Sequence, residues 1–165
     1  RQAHPPKAIK QWSKSINRKE RRKALRSALS ASISPEWATK RGHKVPQGYP
    51  FVLDNSFESL QKTAEIKKAL EALGLQDELL RSQRKKVRAG KGKMRGRTYK
   101  KATGPLIVVS KACELSKAAR NIAGINVRCV DNLSADLLAP GHTPGRLTLF
   151  TKSALERMQK DNLYM

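Results

Sequence analysis

The sequence predicts an α/β domain in three layers: a mostly parallel four-stranded sheet flanked by helices, plus a basic extended arm and a basic loop. Two observations support this. Short apolar runs alternate with amphipathic helical patterns, and strands that are buried on both faces read as such continuous apolar runs. The chain has 165 residues, 38% of them hydrophobic, which suits one domain with a core of ordinary size. The order of the strands is not readable from this pattern.

Residues 1–16 are predicted to form the extended arm. Pro5 and Pro6 favour polyproline geometry, and no apolar period follows them. A helix is predicted to start at Asn17, because Asn17 and Glu20 have the spacing of a capping box. Pro35 marks its end, since proline cannot continue a helix.

The first helix is divided along its length. Leu25, Leu29 and Ile33 share one face at helical spacing, which indicates packing on a core. The same side carries arginines one or two turns earlier, and such charges cannot be buried unpaired. We therefore expect the second half to dock on the domain and the first half to project outward, where guanidinium groups suit phosphate.

The remaining elements are predicted from apolar runs, caps and breakers. Trp37 and Phe51 are expected in the core. In chain order we predict a short helix from Pro35 to Gly42, a strand at 51–53, a helix from about Phe57 to Gly74, a short helix around 77–80, a strand at 106–109, a helix closed by Gly124, a strand at 127–130, a short helix capped by Ser134, a strand at 147–150 and a final helix capped by Thr151.

The positive charge is concentrated in two places. The formal net charge is +22; residues 1–26 hold ten Lys and Arg against one acid, and residues 81–101 hold eleven with no acid. The rest of the chain is nearly neutral. Such an excess favours a polyanionic partner. One basic run is often only a solvated tail, but two, one of them interior, favour nucleic acid.

The second basic segment is the chemical centre of the sequence. It is predicted to be a Gly-rich insertion, residues 84–104, in a globular domain that spans residues 17–165. Glycines at 90, 92 and 96 let backbone approach another surface, and the Lys and Arg between them neutralise phosphates. We expect a long loop without secondary structure that is mobile alone and ordered on RNA. Tyr99 could stack on a base.

The candidate RNA-binding residues are the cations of both segments together with a few rings that could stack or donate. For Trp12, packing on the domain and stacking on RNA remain open. The candidates are His4, Lys7, Lys10, Trp12, Lys14, Arg18, Lys19, Arg21, Arg22, Arg84, Lys85, Lys86, Arg88, Lys91, Lys93, Arg95, Arg97, Tyr99, Lys100 and Lys101.

Other site chemistries find little support. A phosphate-binding nucleotide loop that starts at Gly90 would need Gly where Arg95 stands. No pattern of paired carboxylates, nucleophile elbow or zinc-binding helix occurs, and the two cysteines lack metal spacing. His4, His43 and His142 are expected in turns or RNA contacts. We therefore expect no catalytic residue, no metal, no cofactor and no small-molecule substrate. No apolar run suits a membrane span.

Several stretches, in order along the chain, resemble large-subunit ribosomal protein four in its archaeal and eukaryotic form. Residues 88–97, Arg-Ala-Gly-Lys-Gly-Lys-Met-Arg-Gly-Arg, are the most telling. The others lie at 3–7, 26–29, 41–43, 119–122, 138–141 and 145–148. The resemblance implies a three-layer α/β globule on the outer side of the large ribosomal subunit, bound to ribosomal RNA early in assembly. It also implies neighbouring ribosomal proteins as partners and a cytoplasmic, ribosomal location.

The family carries a long extension directed toward the peptide exit tunnel. In it the stretch at 3–7 belongs to the returning limb of that extension, so the resemblance implies a fragment that lacks an N-terminal strand region and the tip. We expect a structural constituent of the large subunit, not an enzyme. The alternatives are an RNA-processing enzyme, which needs titratable groups near Ser110, Asp131 and Thr151, and a protein that compacts nucleic acid non-specifically.

Overall fold

A computed structural model describes residues 2–164, so the arm's predicted start at residue 1 and the domain's predicted end at residue 165 lie outside the described residues. Within them no helix combines the length and apolar character that a bilayer crossing requires. The helices are α1 (Arg18–Ile33), α2 (Pro35–Lys40), α3 (Thr63–Ala72), α4 (Gln76–Gln83), α5 (Leu115–Ala118), α6 (Ala135–Leu138) and α7 (Lys152–Lys160). The strands are β1 (Val52–Leu53), β2 (Lys85–Val87), β3 (Tyr99–Lys101), β4 (Leu106–Val109), β5 (Asn126–Cys129) and β6 (Thr148–Thr151).

Four strands form one parallel sheet in the order β1-β6-β4-β5. All four residues of β4 are buried, as its continuous apolar run predicts for a strand covered on both faces. Parallel strands need crossover connections, and helices supply them. The predicted α/β class with a mostly parallel four-stranded sheet is confirmed.

The helices cover both faces of the sheet and make two hydrophobic cores. On one face Leu106, Val108 and Phe150 pack with Leu25 of α1 and with α6 and α7. On the other face the alternate residues of β4 and β6 pack with α3, α4 and α5. This arrangement gives the predicted three layers.

Helix α1 runs antiparallel to the strands. At its C-terminal end the carbonyl of Ser32 accepts a hydrogen bond from the hydroxyl of Tyr49, which also bonds the backbone of Thr148 at the start of β6. At its N-terminal end Arg18 lines the same cleft as Asp131, which follows the end of β5. The arm therefore joins the body at the carboxyl edge of the sheet.

The division of α1 is confirmed in part. Residues 18–24 are all exposed, whereas Leu25 and Ala28 are buried. Ile33, expected on the core face, is 43% exposed because the chain turns into α2 there. Asn17 is the N-cap, but its side chain caps no backbone amide, so the predicted capping box does not form.

The helix expected from about Phe57 is shorter than predicted. Residues Asn55–Ser59 form a separate 3-10 turn that Asp54 caps, and α3 begins only at Thr63. The carboxylate of Glu58 bonds Ser110 and Thr151 across the carboxyl edge of the sheet, and these contacts hold the turn out of line with α3. Tertiary hydrogen bonds override the helical pattern here.

Three smaller expectations are corrected. Trp37 is 45% exposed rather than in the core, because α2 turns Ala38 inward, while Phe51 packs partly on the core. Strand β5 begins one residue earlier than predicted and β6 one later. The helix before Gly124 is a single turn of α5, followed by a 3-10 turn over Ala119–Asn121.

The Gly-rich insertion has secondary structure, which corrects the prediction of an irregular loop. Strands β2 and β3 form an antiparallel hairpin, with a 3-10 turn over Lys91–Lys93 near its tip. Backbone hydrogen bonds can pair strands even when the side chains show no apolar alternation. That this segment is mobile without RNA and ordered on RNA stays a prediction.

Candidate RNA-binding surface

The twenty predicted binding residues lie on the surface. All of them are exposed except Arg88, which is half-buried. Within residues 2–164 none of the cations among them forms an ion pair with a carboxylate. Their charges are therefore available to an external anion.

The hairpin, residues 85–101, holds one group of these cations on an ordered backbone. The amide of Arg88 donates to the carbonyl of Thr98 at 2.8 Å, and Nε of the same arginine donates to the carbonyl of Arg97 at 3.0 Å. The register sets Lys85 opposite Lys101 and Lys86 opposite Lys100. Like charges directly opposite are destabilising, and a bound polyanion would relieve that repulsion.

Aromatic rings accompany the cations in both segments. In the hairpin the ammonium of Lys85 lies 4.6 Å from the ring centre of Tyr99. In the arm, residues 2–16, Lys10 lies 4.8 Å from the ring centre of Trp12, which is 76% exposed. Trp12 does not pack on the domain, so the alternative of packing is not supported.

The arm and the first half of α1 hold the second group of cations. Residues 2–17 contain no helix or strand and are exposed throughout. Arg18, Arg21 and Arg22 line a cleft of about 560 Å³ together with Asp131 and Tyr164. The carboxylate of Asp131 is already paired with Arg157 at 2.8 Å. The arginines of the cleft therefore remain open to phosphate.

The two groups lie at opposite edges of the sheet. The hairpin ends at Lys101 and leads into Thr103 and Gly104, which precede β4. It therefore lies at the edge of the sheet where the parallel strands begin, here called the amino edge. The arm leaves α1 at the carboxyl edge. The structure therefore does not bring all predicted residues into one patch, and it separates them into two surfaces.

A buried arginine stands at the amino edge. Arg146 is only 2% exposed, and it donates to the carbonyl of Gly104 at 2.9 Å, to the carbonyl of Leu137 at 3.0 Å and to Oδ1 of Asn126 at 2.6 Å. Burial, and then the charge of Arg41, lower its pKa to about 10. It stays protonated at neutral pH, a buried cation with neutral acceptors in the described part of the chain.

A buried ionic cluster supports the base of the hairpin. Glu78 accepts hydrogen bonds from Arg81 at 2.7 and 2.8 Å, from the amide of Lys44 at 2.9 Å, and lies 2.7 Å from Nδ1 of His43. Burial alone would raise the pKa of Glu78, but these hydrogen bonds lower it to about 2. Arg81 also donates to the carbonyl of Thr103 at 2.6 Å, next to the end of the hairpin.

The cations at the amino edge are not predicted as a group from the sequence. Arg41, Arg81 and Arg146 are far apart in sequence, and only the fold brings them near one another. His43, expected in a turn or an RNA contact, is instead buried against Glu78. The one available signal was that Arg146 and Arg41 stand in stretches that carry the family resemblance.

The carboxyl edge is where an enzyme of this architecture would hold its reacting groups. Glu58, also missed, bonds Ser110, Thr151 and Ser153 there. Burial raises the pKa of Glu58, but the hydrogen bonds from Ser153 and Thr151 outweigh it, so the pKa lies below its ordinary value. With Asp131 paired to Arg157, both acids are engaged in structural contacts.

Comparisons with known proteins identify the family of this chain. The family model of the ribosomal protein L4/L1 family matches residues 1–161. The chain is 50% identical over 159 residues to a protein of Methanospirillum hungatei named large ribosomal subunit protein uL4, which covers 96% of this chain and 63% of that protein.

Two further archaeal proteins with the same name are similar. The chain is 48% identical over 165 residues to the Nanoarchaeum equitans protein, covering 99% of this chain and 61% of that protein. It is 44% identical over 162 residues to the Methanocaldococcus jannaschii protein, covering 97% and 64% respectively. The chain thus spans less than two thirds of the length of these relatives. The chain belongs to the ribosomal protein L4/L1 family.

Proposed function

We propose that this chain is a structural constituent of the large ribosomal subunit that binds ribosomal RNA and supports subunit assembly. Its partners are ribosomal RNA and neighbouring ribosomal proteins, in the cytoplasm, with no membrane, small-molecule substrate or cofactor. The observation that carries the proposal is the set of exposed cations at two edges of one α/β body, without carboxylate partners among residues 2–164, in a chain of this family.

The mechanism is charge neutralisation along two segments whose directions the body fixes. Each cation that meets a phosphate releases condensed counterions, and this release supplies most of the binding free energy. Phosphate contacts position a protein without reading sequence. Aromatic residues make up only 5% of the chain, so shape and phosphate contacts dominate over base recognition.

The arm, residues 2–16, is the segment that we assign to the extension directed toward the peptide exit tunnel. Its exposure along the described length and its lack of helix or strand there suit a segment that runs through RNA. A chain of fifteen residues reaches at most about 50 Å when extended. The hairpin would hold the opposite edge of the body to RNA.

The proposal is tested by binding of this chain to large-subunit ribosomal RNA at several salt concentrations. We expect the logarithm of the association constant to fall steeply and linearly with the logarithm of the salt concentration, as counterion release requires. A flat response would contradict the mechanism. Equal affinity for duplex DNA of the same length would favour non-specific compaction instead, and cleavage or modification of the RNA at protein excess would favour an enzyme.

A further inference from the structure

A small cationic cavity lies at the amino edge, beside the base of the hairpin. Its volume is about 190 Å³, and it is lined by Arg41, His43, Arg81, Thr103 and Thr143. That volume equals the liquid share of roughly six water molecules, which is room for one phosphate group. The hairpin strand β3 ends only two residues before Thr103.

The two arginines of this cavity are held in place by neutral and ionic contacts. The terminal nitrogens of Arg41 donate to the carbonyls of Thr143 and of Pro140, the latter at 2.6 Å. Arg81 is fixed by the carboxylate of Glu78 and by the carbonyl of Thr103. Neither guanidinium has to be ordered when a ligand enters, so little side-chain entropy is lost on binding.

Both arginines keep unused donors. Among residues 2–164, Nε of Arg41 and Nη1 of Arg81 have no hydrogen-bond acceptor. A guanidinium presents five N–H donors in a fixed fork, and tetrahedral phosphate oxygens match that geometry. Two fixed guanidinium groups with spare donors therefore line the cavity.

The charges around the cavity are only partly balanced by acids. Glu78 compensates Arg81, but within the described residues Arg41 and the buried Arg146 have no carboxylate partner. The charge of Arg81 acts on Arg41, and that of Arg41 acts on Arg146. Cations this close repel one another in a partly desolvated site, and an anion between them removes that cost.

We propose that the cavity between Arg41 and Arg81 binds one backbone phosphate of an RNA strand that lies along the protein hairpin, residues 85–101. The inference rests on the proposed function, and it adds a defined phosphate site on the body itself. An acidic peptide is the less favoured occupant, because the cavity adjoins the hairpin, whose cations favour RNA.

The test compares variants of this chain in binding to large-subunit ribosomal RNA across a salt series. Arg41→Gln removes the charge and keeps an amide donor, Arg41→Lys keeps the charge, and Lys68→Gln removes one charge from the exposed face of α3 as the matched control. We expect Arg41→Gln to weaken RNA binding about tenfold. The slope of log association constant against log salt concentration should become shallower by the amount that about one phosphate contact contributes. Lys68→Gln should change affinity less than about twofold, and Arg41→Lys should retain the salt slope.

A second measurement does not depend on how the variants fold. In the unmodified chain, nuclear magnetic resonance of the arginine side chains should show the Nε–H signal of Arg41 and the Nη signals of Arg81 shifting when RNA binds. If the signals do not change in a saturated RNA complex, the phosphate site is refuted. The same holds if an acidic peptide shifts these signals and RNA does not. Equal affinities for Arg41→Gln and Lys68→Gln would also overturn the phosphate site. Failure of the unmodified chain to bind RNA at all would instead refute the proposed function.

Discussion

The arm and the hairpin are both basic and free of acids, with three cations in the arm and nine in the hairpin, and they differ in how much secondary structure they have. Residues 2–16 have no secondary structure, and their one backbone hydrogen bond in the described region joins the amide of Lys10 to the carbonyl of Lys7 at 3.2 Å. The hairpin has paired strands and is fixed at its base through Arg81. The hairpin therefore loses less conformational entropy on binding RNA than the arm does.

The two segments also differ in how they accommodate the repulsion between their own cations. The arm avoids close repulsion by extending, since its lysines are spaced along an open chain. The hairpin sets lysines opposite one another and depends on backbone pairing to hold them. Order in the hairpin is thus more sensitive to salt and to bound phosphate than order in the body.

The largest expected effect comes from the support of the hairpin base. Glu78→Gln removes the carboxylate that Arg81 and His43 share, and loss of one partner of a buried ion pair costs about 3–5 kcal/mol. We expect a clearly lower midpoint in thermal unfolding. A matched exposed change, Glu65→Gln, should have little effect, since exposed pairs contribute little. Equal midpoints for the two variants would show that the cluster does not support the body.

The same cluster predicts a dependence on acid. The pKa of Glu78 lies at about 2 in the folded chain against 4.5 for the ordinary carboxyl, so its stabilisation is complete above pH 4.5 and is lost as pH falls toward 2. Unfolding measured along that range should show stability falling more steeply in the unmodified chain than in Glu78→Gln. Parallel curves would contradict this assignment.

A smaller effect is expected from matched losses of charge in the two segments. Replacing Arg95 and Arg97 by Ala in the hairpin should weaken RNA binding about 30-fold, or about 2 kcal/mol, without lowering the thermal midpoint. Replacing Lys10 and Lys14 by Ala in the arm should weaken RNA binding less. The arm loses more conformational entropy when it binds, and this loss offsets more of the free energy of its contacts. If the hairpin variant unfolds instead, the hairpin is part of the structural core.

The smallest expected effect concerns the exposed ring of the arm. Trp12→Ala should leave the thermal midpoint unchanged and weaken RNA binding about fivefold, since stacking of a base contributes about 1–3 kcal/mol. Trp37→Ala is the matched control, because Trp37 is a partly exposed ring on the body. A lower midpoint for Trp12→Ala would mean that Trp12 packs on the body after all.

Hydrogen exchange measures the contrast directly. In the free chain we expect amides of β2 and β3 to exchange more slowly than those of residues 2–16, and both sets to slow when RNA binds. Equal, unprotected exchange in both segments would support the sequence-based hypothesis that residues 84–101 are ordered only on RNA.

The sequence predicted the sheet well because its strands are defined by local apolar runs. Leu106–Val109 is one such run, and burial on both faces leaves no other place for it. The hairpin was not predicted because backbone hydrogen bonds pair its strands, whereas the side chains on both strands are mostly cationic and show no apolar alternation. The turn at Asn55–Ser59 escaped because Glu58 bonds groups fifty and more residues away.

The binding residues were predictable to the extent that charge is clustered in sequence. Lys91, Lys93, Arg95 and Arg97 stand in one basic run, so their exposure follows from composition. The cations of the amino edge were not predictable, because Arg41, Arg81 and Arg146 meet only after the sheet forms. Each of the three donates to at least one backbone carbonyl, and no sequence pattern signals a carbonyl contact.

The placement of the arm and the hairpin at opposite edges of one sheet makes the chain bivalent. When one segment has bound its RNA, the other explores only the nearby volume, which corresponds to an effective concentration in the millimolar range for short connections. The second contact then forms far more readily than the first. Because the sheet between them is rigid, only RNA segments held at the matching separation satisfy both contacts, so the chain would favour compact arrangements of the RNA over extended ones.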